Sequence, residues 1–306
     1  MSDSVRVTVL VPSISASRLE RARTWLAALT AEGFDVRVVA NSASAAACAP
    51  RLSATVVDTG ANPGFSRSIV AALEGAPAWD WLILMNDDLD LAPTAPAAIR
   101  RVLADHDEAD AAIVHLDDEP ARALPTVGGV FASVSLLDAL RHRFGRADQA
   151  GRERRSARRG REGVASTYRS FSAVAISRAS WRRVGGLDRR FVFCYEDAFF
   201  VRRHRALGGR EPVCVDVGIR HEKSASTGQH IRTVLPAIAF SAFRYLCAVG
   251  VAERRASRVV VAALLLRVPL VPFASARTGE HLRGIVAAIR SVSSRREPAL
   301  PRYADI

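Results

Sequence analysis

The chain contains 306 residues, of which 49% are hydrophobic and 24% are charged. This balance is typical of a globular protein and excludes intrinsically disordered, collagen-like and coiled-coil classes. The four cysteines include no Cys-x-x-Cys pair, which argues against a zinc ribbon or a disulfide-stabilised scaffold. The apolar residues 5–11 are too few for the hydrophobic region of a signal peptide and follow no basic segment. We therefore expect a cytoplasmic protein.

The net charge of +12 is unevenly distributed, and 42 of the 43 basic residues are arginines. Residues 141–162 contain nine arginines and three acids, and residues 231–306 contain twelve arginines and four acids. Nucleic acid and anionic lipid are the two classes of partner that such basic segments suit. No aromatic residue lies between the arginines of residues 146–162, and no nucleic-acid-binding motif is present. We therefore predict no nucleic-acid partner.

Strand and helix patterns alternate through the first part of the chain. We predict strands over residues 5–11, 36–40, 54–57, 81–85 and 111–114, and helices over residues 18–29, 65–73 and 95–103. This alternation is typical of βαβ units and predicts an α/β fold with a mixed, mostly parallel sheet flanked by helices. Ligands of such sheets bind beyond the carboxyl ends of the strands, where the acidic cluster 86–90 lies.

The pattern is less regular after residue 115. The Arg-, Gly- and Ser-rich segment 146–162 has no periodicity and is predicted to be a mobile surface loop. The later predicted elements are a strand over 170–176, a helix over 178–184 that ends at a Gly-Gly pair, a helix over 196–207 and a strand over 212–217. From residue 231 the sequence is helical and basic.

The basic C-terminal region leaves two interpretations open. A basic amphipathic helix is predicted from apolar residues at helical spacing, namely Leu282, Ile285, Val286, Ile289 and Val292. The apolar segment 259–266 is too short to cross a bilayer, which needs ~20 residues. Segment 233–252 contains Pro236 and Arg244, so it is interpreted as a packed helix. The region either contacts an anionic membrane surface peripherally, or packs on the catalytic part or on a second copy in a homo-oligomer.

The cluster Asn86-Asp87-Asp88 follows the most apolar predicted strand. Closely spaced carboxylates repel one another unless a cation or another partner neutralises them. Oxygen ligands suit Mg²⁺ or Mn²⁺, which usually retain a substrate phosphate as a further ligand. The alternative is a solvated turn in which an aspartate caps the following helix.

Two further clusters could carry chemistry. Aromatic residues and glycines between Trp181 and Tyr195 place Glu196-Asp197 at a predicted helix start. A carboxylate there is either a cap that the helix dipole stabilises or a general base. His221 lies in a polar segment after a strand, either as a surface residue or as a ligand.

In their order and separations these clusters resemble glycosyltransferase family 2, and within it the rhamnosyltransferase-like and galactofuranosyltransferase-like branch, which has the GT-A fold. The resemblance covers roughly residues 5–230. It rests on a strand ending in Pro12, Asn-x-Gly-Phe at Asn62–Phe65, Leu-Met-Asn-Asp-Asp at Leu84–Asp88, Gly-Gly-Leu-Asp at Gly185–Asp188, Phe193, Glu196-Asp197, Arg203, and His221 with Ser224 and Ser226.

The resemblance implies a role for each matched residue. Asp88 and His221 would hold a divalent metal, Mn²⁺ or Mg²⁺, that bridges the donor diphosphate. Asp197 would be the catalytic base, with Glu196 beside it. The implied donor-binding residues are Pro12, Asn41, Asn62, Gly64, Phe65, Asn86 and Asp87. The implied acceptor-side residues are Trp181, Gly185, Gly186, Tyr195 and Arg203.

The sequence departs from the family pattern at three positions. Ala40 stands where the family usually has an aspartate that touches the nucleobase. Val70 replaces an asparagine, and Phe199 replaces the second aspartate of the Glu-Asp-x-Asp motif. We therefore expect an atypical donor site.

The sequence predicts a GT-A catalytic domain over residues 1–230, with a nucleotide-sugar-binding half (1–115) and an acceptor half (116–230), followed by a basic helical region over 231–306. The resemblance implies an inverting, metal-dependent glycosyltransferase in polysaccharide or cell wall biogenesis. It would move rhamnose or galactofuranose from a nucleotide-sugar donor to a cell-surface glycan or a lipid-linked acceptor. Contact with anionic lipid would place it at the inner face of the plasma membrane.

The alternative function is a catalytically silent nucleotide- or glycan-binding protein on the same fold, which the departures at Ala40 and Val70 motivate. A silent protein has no need to keep Asp88, Asp197 and His221 together. Their joint presence favours the enzyme.

Overall fold

The computed structural model describes residues 5–48, 51–106, 111–144, 167–221, 230–274 and 277–301. The strands are β1 (Val7–Ser13), β2 (Asp35–Ala40), β3 (Thr55–Asp58), β4 (Trp81–Met85), β5 (Leu89–Leu91), β6 (Ile113–Asp117), β7 (Arg122–Ala123), β8 (Thr167–Tyr168), β9 (Ala173–Ser177) and β10 (Val213–His221). The helices are α1 (Ala16–Ala31), α2 (Ala43–Cys48), α3 (Phe65–Glu74), α4 (Ala95–Ala104), α5 (Val127–Val134), α6 (Leu137–Phe144), α7 (Arg178–Val184), α8 (Glu196–Ala206), α9 (Ile231–Ala248), α10 (Glu253–Ala274) and α11 (Thr278–Ser294). The predicted loop 146–162, Ser224 and Ser226 lie outside the described residues.

The main sheet has eight strands in the order β3-β2-β1-β4-β9-β6-β10-β5. Strands β9 and β5 run antiparallel to their neighbours, and the other pairings are parallel. Every residue of β4, β6 and β9 is buried, as expected for central strands covered on both faces. The predicted fold class, a mixed and mostly parallel sheet flanked by helices with a helical C-terminal region, is confirmed.

The acidic cluster is followed by a strand, not by the solvated turn that was one of its two interpretations. The three residues after Asp88 form β5, which pairs antiparallel with β10 so that Leu89 lies opposite His221. Strand β10 consequently extends to His221, four residues beyond the predicted end. Isolated three-residue strands carry too little pattern to be recognised in a sequence, because only the pairing stabilises them.

The C-terminal region also differs from the prediction. Segment 259–266 is part of α10, a 22-residue helix that continues through Pro269 and Pro272. Proline removes a backbone donor and normally ends a helix, but here the last turn is held by Val271, which is fully buried in the core. By length and composition alone, Ile231–Ala248 and Glu253–Phe273 are each long and apolar enough to cross a membrane.

The two helices differ in how much of their apolar surface is buried. The fold buries 61% of the apolar window of α9 but only 33% of that of α10. Helix α9 is therefore a packed core helix, as its sequence predicts. Helix α10 presents much of its apolar surface outward.

The three C-terminal helices pack on the rest of the chain through one apolar cluster. Phe240, Phe243 and Leu246 of α9 share this cluster with Val130 of α5 and with Val192. Ser241 reinforces the contact, because its buried Oγ accepts hydrogen bonds from the backbone N–H groups of Val192 (3.0 Å) and Phe193 (3.1 Å). The helices thereby fix the segment that leads into α8.

We predict that Ser241→Ala lowers the free energy of unfolding by about 1–3 kcal/mol, because it leaves two buried N–H donors without an acceptor. Urea unfolding measures the change. Ser293→Ala, on the exposed face of α11, is the matched control and should be close to neutral. An equal effect of the two substitutions would contradict the proposed connection.

Candidate functional site

Polar side chains meet where several strands of the main sheet end. Strands β1, β2, β4, β6 and β10 are followed or ended by Ser13, Asn41, Asn86, Glu119 and His221, and all of these residues line one cavity of about 870 Å³. Pockets for small molecules and cofactors usually measure ~300–1,000 Å³. The cavity is therefore large enough for a nucleotide carrying a sugar.

The cavity gathers the residues predicted to bind the donor. All of them line it, namely Pro12, Asn41, Asn62, Gly64, Phe65, Asn86 and Asp87. Asp88 and His221, the predicted metal ligands, line it as well. Residues from five parts of the sequence thus come together as the resemblance implies.

The predicted catalytic and acceptor-side residues lie outside the cavity lining, as far as the described residues show. They are Glu196, Asp197, Trp181, Gly185, Gly186, Tyr195 and Arg203. Three of them have evident structural roles. Gly185 ends α7 in a left-handed conformation, and Gly186 lies against the ring of Trp181, where a Cβ atom would approach to 3.0 Å. We find no cavity contact that assigns these three residues to an acceptor.

Asp87 is held by β1 and α1. Its carboxylate accepts a hydrogen bond from Ser13 Oγ (2.6 Å) and forms an ion pair with Arg18 (3.1 Å). Arg18 also lies 3.7 Å from Asp88. Burial nevertheless raises the pKa of Asp87, because a desolvated carboxylate loses more than these partners return.

Asp88 belongs to a chain of charged groups that crosses the cavity. Its Oδ1 lies 3.0 Å from His221 Nε2, and His221 Nδ1 lies 3.1 Å from Glu119 Oε1. Glu119 Oε2 in turn lies 3.5 Å from Arg122. The antiparallel pairing of β5 with β10 creates the first of these contacts, although Asp88 and His221 are 133 residues apart.

The two carboxylates determine the state of His221. The hydrogen bond that His221 donates to Asp88, supported by the one to Glu119, raises the pKa of His221 to about 9. The imidazole is therefore protonated at neutral pH when no other cation is present. Asp117, at the end of β6, is fully buried, and its pKa is raised by that burial although Ser172 donates a hydrogen bond to it.

Glu196 and Asp197 begin α8 after a strained backbone segment. Cys194 and Tyr195 both have positive φ angles, 67° and 71°. Left-handed backbone costs a non-glycine residue about 1–2 kcal/mol, so two in succession mark a segment whose direction the fold imposes. Such strain is concentrated at functional sites.

The two carboxylates that this segment presents are poorly solvated. Glu196 Oε2 is buried and has no hydrogen-bond partner among the described residues, whereas Asp197 Oδ1 accepts a bond from the Ala198 N–H (2.6 Å). Burial raises the pKa of both groups, and the charge of Asp197 raises that of Glu196 further. The pair therefore resists carrying two negative charges, and Asp197, with the better hydrogen bond, is the one that holds the charge.

Arg122 connects this acidic pair to the cavity. It lines the cavity, and its positive charge lowers the pKa of Asp197. Arg122 belongs to β7, which pairs with β8 so that Arg122 lies opposite Tyr168. Burial and the charge of Asp197 both raise the pKa of that tyrosine. Asp197 thus lies within electrostatic reach of the cavity, behind the β7–β8 pair.

The departures from the family pattern take different places in the fold. Ala40 is fully buried in the core beneath the sheet, and Val70 packs against the core on the other face. At the end of β2 the cavity is lined by Asn41 and Ser44 instead. The carboxylate that the family places there is therefore replaced by amide and hydroxyl groups.

Sequence analysis missed three charged residues of the site, Arg18, Glu119 and Arg122. Arg18 was assigned only to a helix, and strand β6 was predicted to end at residue 114. The signal for Glu119 was present, because Asp117-Asp118-Glu119 is a second acidic run directly after an apolar strand. It resembles the cluster Asn86–Asp88, which was predicted from the same kind of pattern.

Two side chains of the site, Asp88 and His221, are the candidate metal ligands. Within the described part of the chain, no three His, Cys, Asp or Glu residues form a group that could hold an ion. Asp88 Oδ1 and His221 Nε2 are hydrogen-bond partners 3.0 Å apart, and both are ligand types that a divalent ion accepts once the histidine has lost its proton. Glu119 orients His221 as second-sphere carboxylates orient metal-binding histidines. These residues fit an ion that takes its remaining ligands from a substrate diphosphate and water.

The chain is similar to one protein family over part of its length and to several solved structures over most of it. Residues 19–163 match the MobA-like NTP transferase domain family. No curated protein matches the sequence. Among solved structures, residues 1–349 of TarS from S. aureus are similar at 11% identity and a TM-score of 0.41, with 95% of this chain and 92% of that chain covered. The same part of TarS in complex with UDP-GlcNAc gives 12% identity, coverage of 95% and 84%, and a TM-score of 0.41. Its complex with UDP gives 11%, 99% and 100%, and 0.42.

The family match covers most of the strands that form the cavity. It shows similarity to a domain of the MobA-like NTP transferase type in this part of the chain, and it does not confirm the rhamnosyl or galactofuranosyl branch. The chain is thus similar, over residues 19–163, to a family of nucleotide-using transferases.

Proposed function

We propose that the protein is a nucleotide-sugar-dependent glycosyltransferase. The observation that carries the proposal is the single cavity at the strand ends, which is lined by all the predicted donor-binding residues together with Asp88 and His221. The family match to a nucleotide-using transferase domain supports it. The donor's diphosphate would lie in the cavity near Arg18, Asp88 and His221.

The acidic pair at the start of α8 supports an enzyme over a silent binding protein. A buried carboxylate oxygen without a partner and two successive left-handed residues both destabilise the fold. A protein that only binds a nucleotide gains nothing from these costs, whereas a general base needs a raised pKa near the working pH.

In the proposed mechanism the acceptor extends beyond the cavity lining to Asp197, which accepts the proton of the acceptor hydroxyl as that oxygen attacks the anomeric carbon. The bond from the anomeric carbon to the donor diphosphate breaks in the same displacement, which inverts the configuration of that carbon. Glu196 stays protonated and limits the charge next to the base. Arg122 holds Asp197 in its ionised form until the hydroxyl arrives.

A divalent metal, when bound, would neutralise the negative charge that develops on the departing nucleoside diphosphate. Asp88 and His221 would hold it, and Glu119 would keep the His221 ring in place. Arg18, which lies beside both Asp87 and Asp88, balances those carboxylates before the ion arrives.

A second candidate is nucleotidyl transfer from a nucleoside triphosphate, which the similarity to MobA-like NTP transferase domains favours. The two functions differ in their ligands. A nucleotidyltransferase binds a triphosphate and a sugar phosphate, whereas a glycosyltransferase binds the finished nucleotide sugar.

We predict that a nucleotide sugar raises the melting temperature only when Mn²⁺ is present, and that Asp88→Asn and His221→Ala each abolish this effect. A panel of UDP-, GDP- and dTDP-sugars and the matching triphosphates, with and without Mn²⁺, measures it. Because the ion must displace the proton of His221, binding should strengthen as pH rises from 6 towards 9.

Asp90→Asn, an exposed carboxylate two residues from Asp88, is the matched control and should behave as the wild type. Stabilisation by triphosphates alone would favour nucleotidyl transfer. Unchanged Mn²⁺ dependence in both site variants would contradict the metal assignment.

We predict that Asp197→Asn lowers kcat by about 10²–10⁴-fold, because the amide keeps the shape of the carboxylate but cannot accept a proton. The affinity for the donor should be nearly unchanged, since Asp197 lies outside the donor cavity. Initial rates with the donor identified in the panel, together with calorimetric titration of that donor, measure both quantities. Normal turnover, or loss of donor affinity, would show that Asp197 is not the base.

We also propose that α10 attaches the enzyme to the inner face of the plasma membrane, where it would reach a glycan or lipid-linked acceptor. The outer side of this helix carries exposed arginines near its start, at residues 254, 255 and 258. Towards its end Leu265 and Phe273 are 57% and 62% exposed, an unusual cost for a residue facing only water. Apolar side chains flanked by arginines suit a surface of anionic lipid.

We predict that liposomes containing anionic phosphatidylglycerol retain the protein, that salt weakens the retention, and that Leu265→Glu abolishes it. Leu207→Glu is the matched control, because Leu207 is a similarly exposed leucine (46%) on another surface. Cosedimentation measures the retention. Equal loss in the two variants would exclude α10 as the attachment site, and a dimer that Leu265→Glu dissociates would favour the homo-oligomer instead.

A further inference from the structure

The segment after α11 returns to the donor cavity. We call residues Glu297–Pro301 the strap. Helix α11 ends at Arg295, which has a left-handed conformation (φ 57°), and Ser291 Oγ donates a hydrogen bond to the Arg296 carbonyl (2.6 Å). These contacts turn the chain out of the helix, and Leu300 and Pro301 then line the same cavity as Pro12 and Asn62.

The strap is bound at three points to the Asn-x-Gly-Phe element and to helix α3, which follows it. Asn62 Nδ2 donates a hydrogen bond to the Pro301 carbonyl (3.3 Å). Leu300 packs over Gly64, where a Cβ atom would lie 3.4 Å from Leu300 Cδ1 and 2.5 Å from the Val192 carbonyl. The glycine is thus required for the close approach of two other chain segments.

The third contact is a bidentate ion pair. Arg67 Nη1 and Nη2 lie 2.5 and 2.6 Å from the two carboxylate oxygens of Glu297. The Nε atom of Arg67 also donates to the Arg189 carbonyl (2.9 Å), which fixes the guanidinium before the strap binds. Paired, planar bonds of this kind are stronger and more directional than a single charge contact.

The cavity remains open with the strap in place, since its 870 Å³ are measured beside Leu300 and Pro301. The strap is therefore a wall of the cavity and does not fill it. The cavity lining contains two groups of different chemistry. Asp87, Asp88, Arg18 and His221 are linked by ion pairs and suit a diphosphate and a cation, whereas Phe65, Leu300 and Pro301 are apolar and lie beside the Gly64 turn.

We propose that the strap forms the wall against which the nucleobase of the donor packs, with Leu300 as a residue that determines donor affinity. The inference rests on the proposed function, because it assumes that the ligand is a nucleoside diphosphate or its sugar ester. The flat face of a nucleobase suits the apolar group of the lining, while its diphosphate would reach the charged group. Ala40 supplies no carboxylate to the base edge, which leaves Asn41 and Ser44 for polar contacts and the strap for packing against the face.

The test compares two probes that share a diphosphate, namely inorganic pyrophosphate and the nucleoside diphosphate that the wild type binds most tightly among UDP, GDP and dTDP. Both are titrated in the presence of Mn²⁺. Leu300→Ala should weaken the nucleoside diphosphate about five- to tenfold, the loss expected when part of a leucine contact is removed. The affinity for pyrophosphate should be unchanged.

Glu297→Gln loosens the strap without touching the cavity and should also weaken the nucleoside diphosphate selectively. Its matched control is Glu211→Gln, because Glu211 forms another bidentate ion pair, with Arg205. That control should bind both probes as the wild type does. The melting temperatures of all variants show whether weaker binding comes from unfolding of the protein or from loss of the strap contact.

Equal weakening of both probes, or unchanged binding of the nucleoside diphosphate in Leu300→Ala, would overturn the proposal. Tighter binding in Glu297→Gln would also overturn it, because the strap would then obstruct the cavity. A wild type that binds pyrophosphate but no nucleoside diphosphate would contradict the strap assignment. A wild type that binds neither probe would contradict the proposed function itself.

Discussion

The site is organised by the need to neutralise four buried carboxylates at the ends of the strands. Asp87, Asp88, Asp117 and Glu119 are each at most 8% exposed, and a buried charge without a partner costs several kcal/mol. The partners come from distant parts of the chain, namely Ser13, Arg18, Ser172, Arg122 and His221. Because each carboxylate requires its partner, the strand ends must converge, and this convergence forms the cavity.

Much of the fold could be predicted from the sequence because its central strands are continuous apolar runs. Trp81–Met85 and Arg178–Val184 have the predicted bounds, since apolar patterning and the glycine C-cap are local signals. Strand β5 could not be predicted, because three residues acquire a strand conformation only when β10 lies beside them. The length of helix α10 could not be predicted from its apolar segment 259–266, because burial of Val271 lets the helix continue through Pro269 and Pro272.

The candidate site was only partly predictable for a related reason. Motif residues such as Asn62 and Asp88 are recognisable because their order along the chain is informative. Glu119 is marked locally by the acidic run 117–119, but its partner His221 lies 102 residues further along the chain, and no local pattern marks Arg122 as an arginine whose charge acts on Asp197, 75 residues later. The strap is the extreme case, since nothing in Glu297–Pro301 suggests a contact with Asn62.

The strap also has a consequence for the order in which the molecule matures. Its hydrogen bond to Asn62 spans 239 residues, so during synthesis the sheet and most of the cavity emerge from the ribosome long before the last wall is made. Domains synthesised vectorially tend to fold as their residues appear, and a nascent chain of this protein would therefore hold a folded sheet with an incomplete cavity. The donor would meet a finished binding site only after the C-terminal helices had docked. Ligand occupancy would then report docking of these helices and of the strap, and would favour the docked state by mass action.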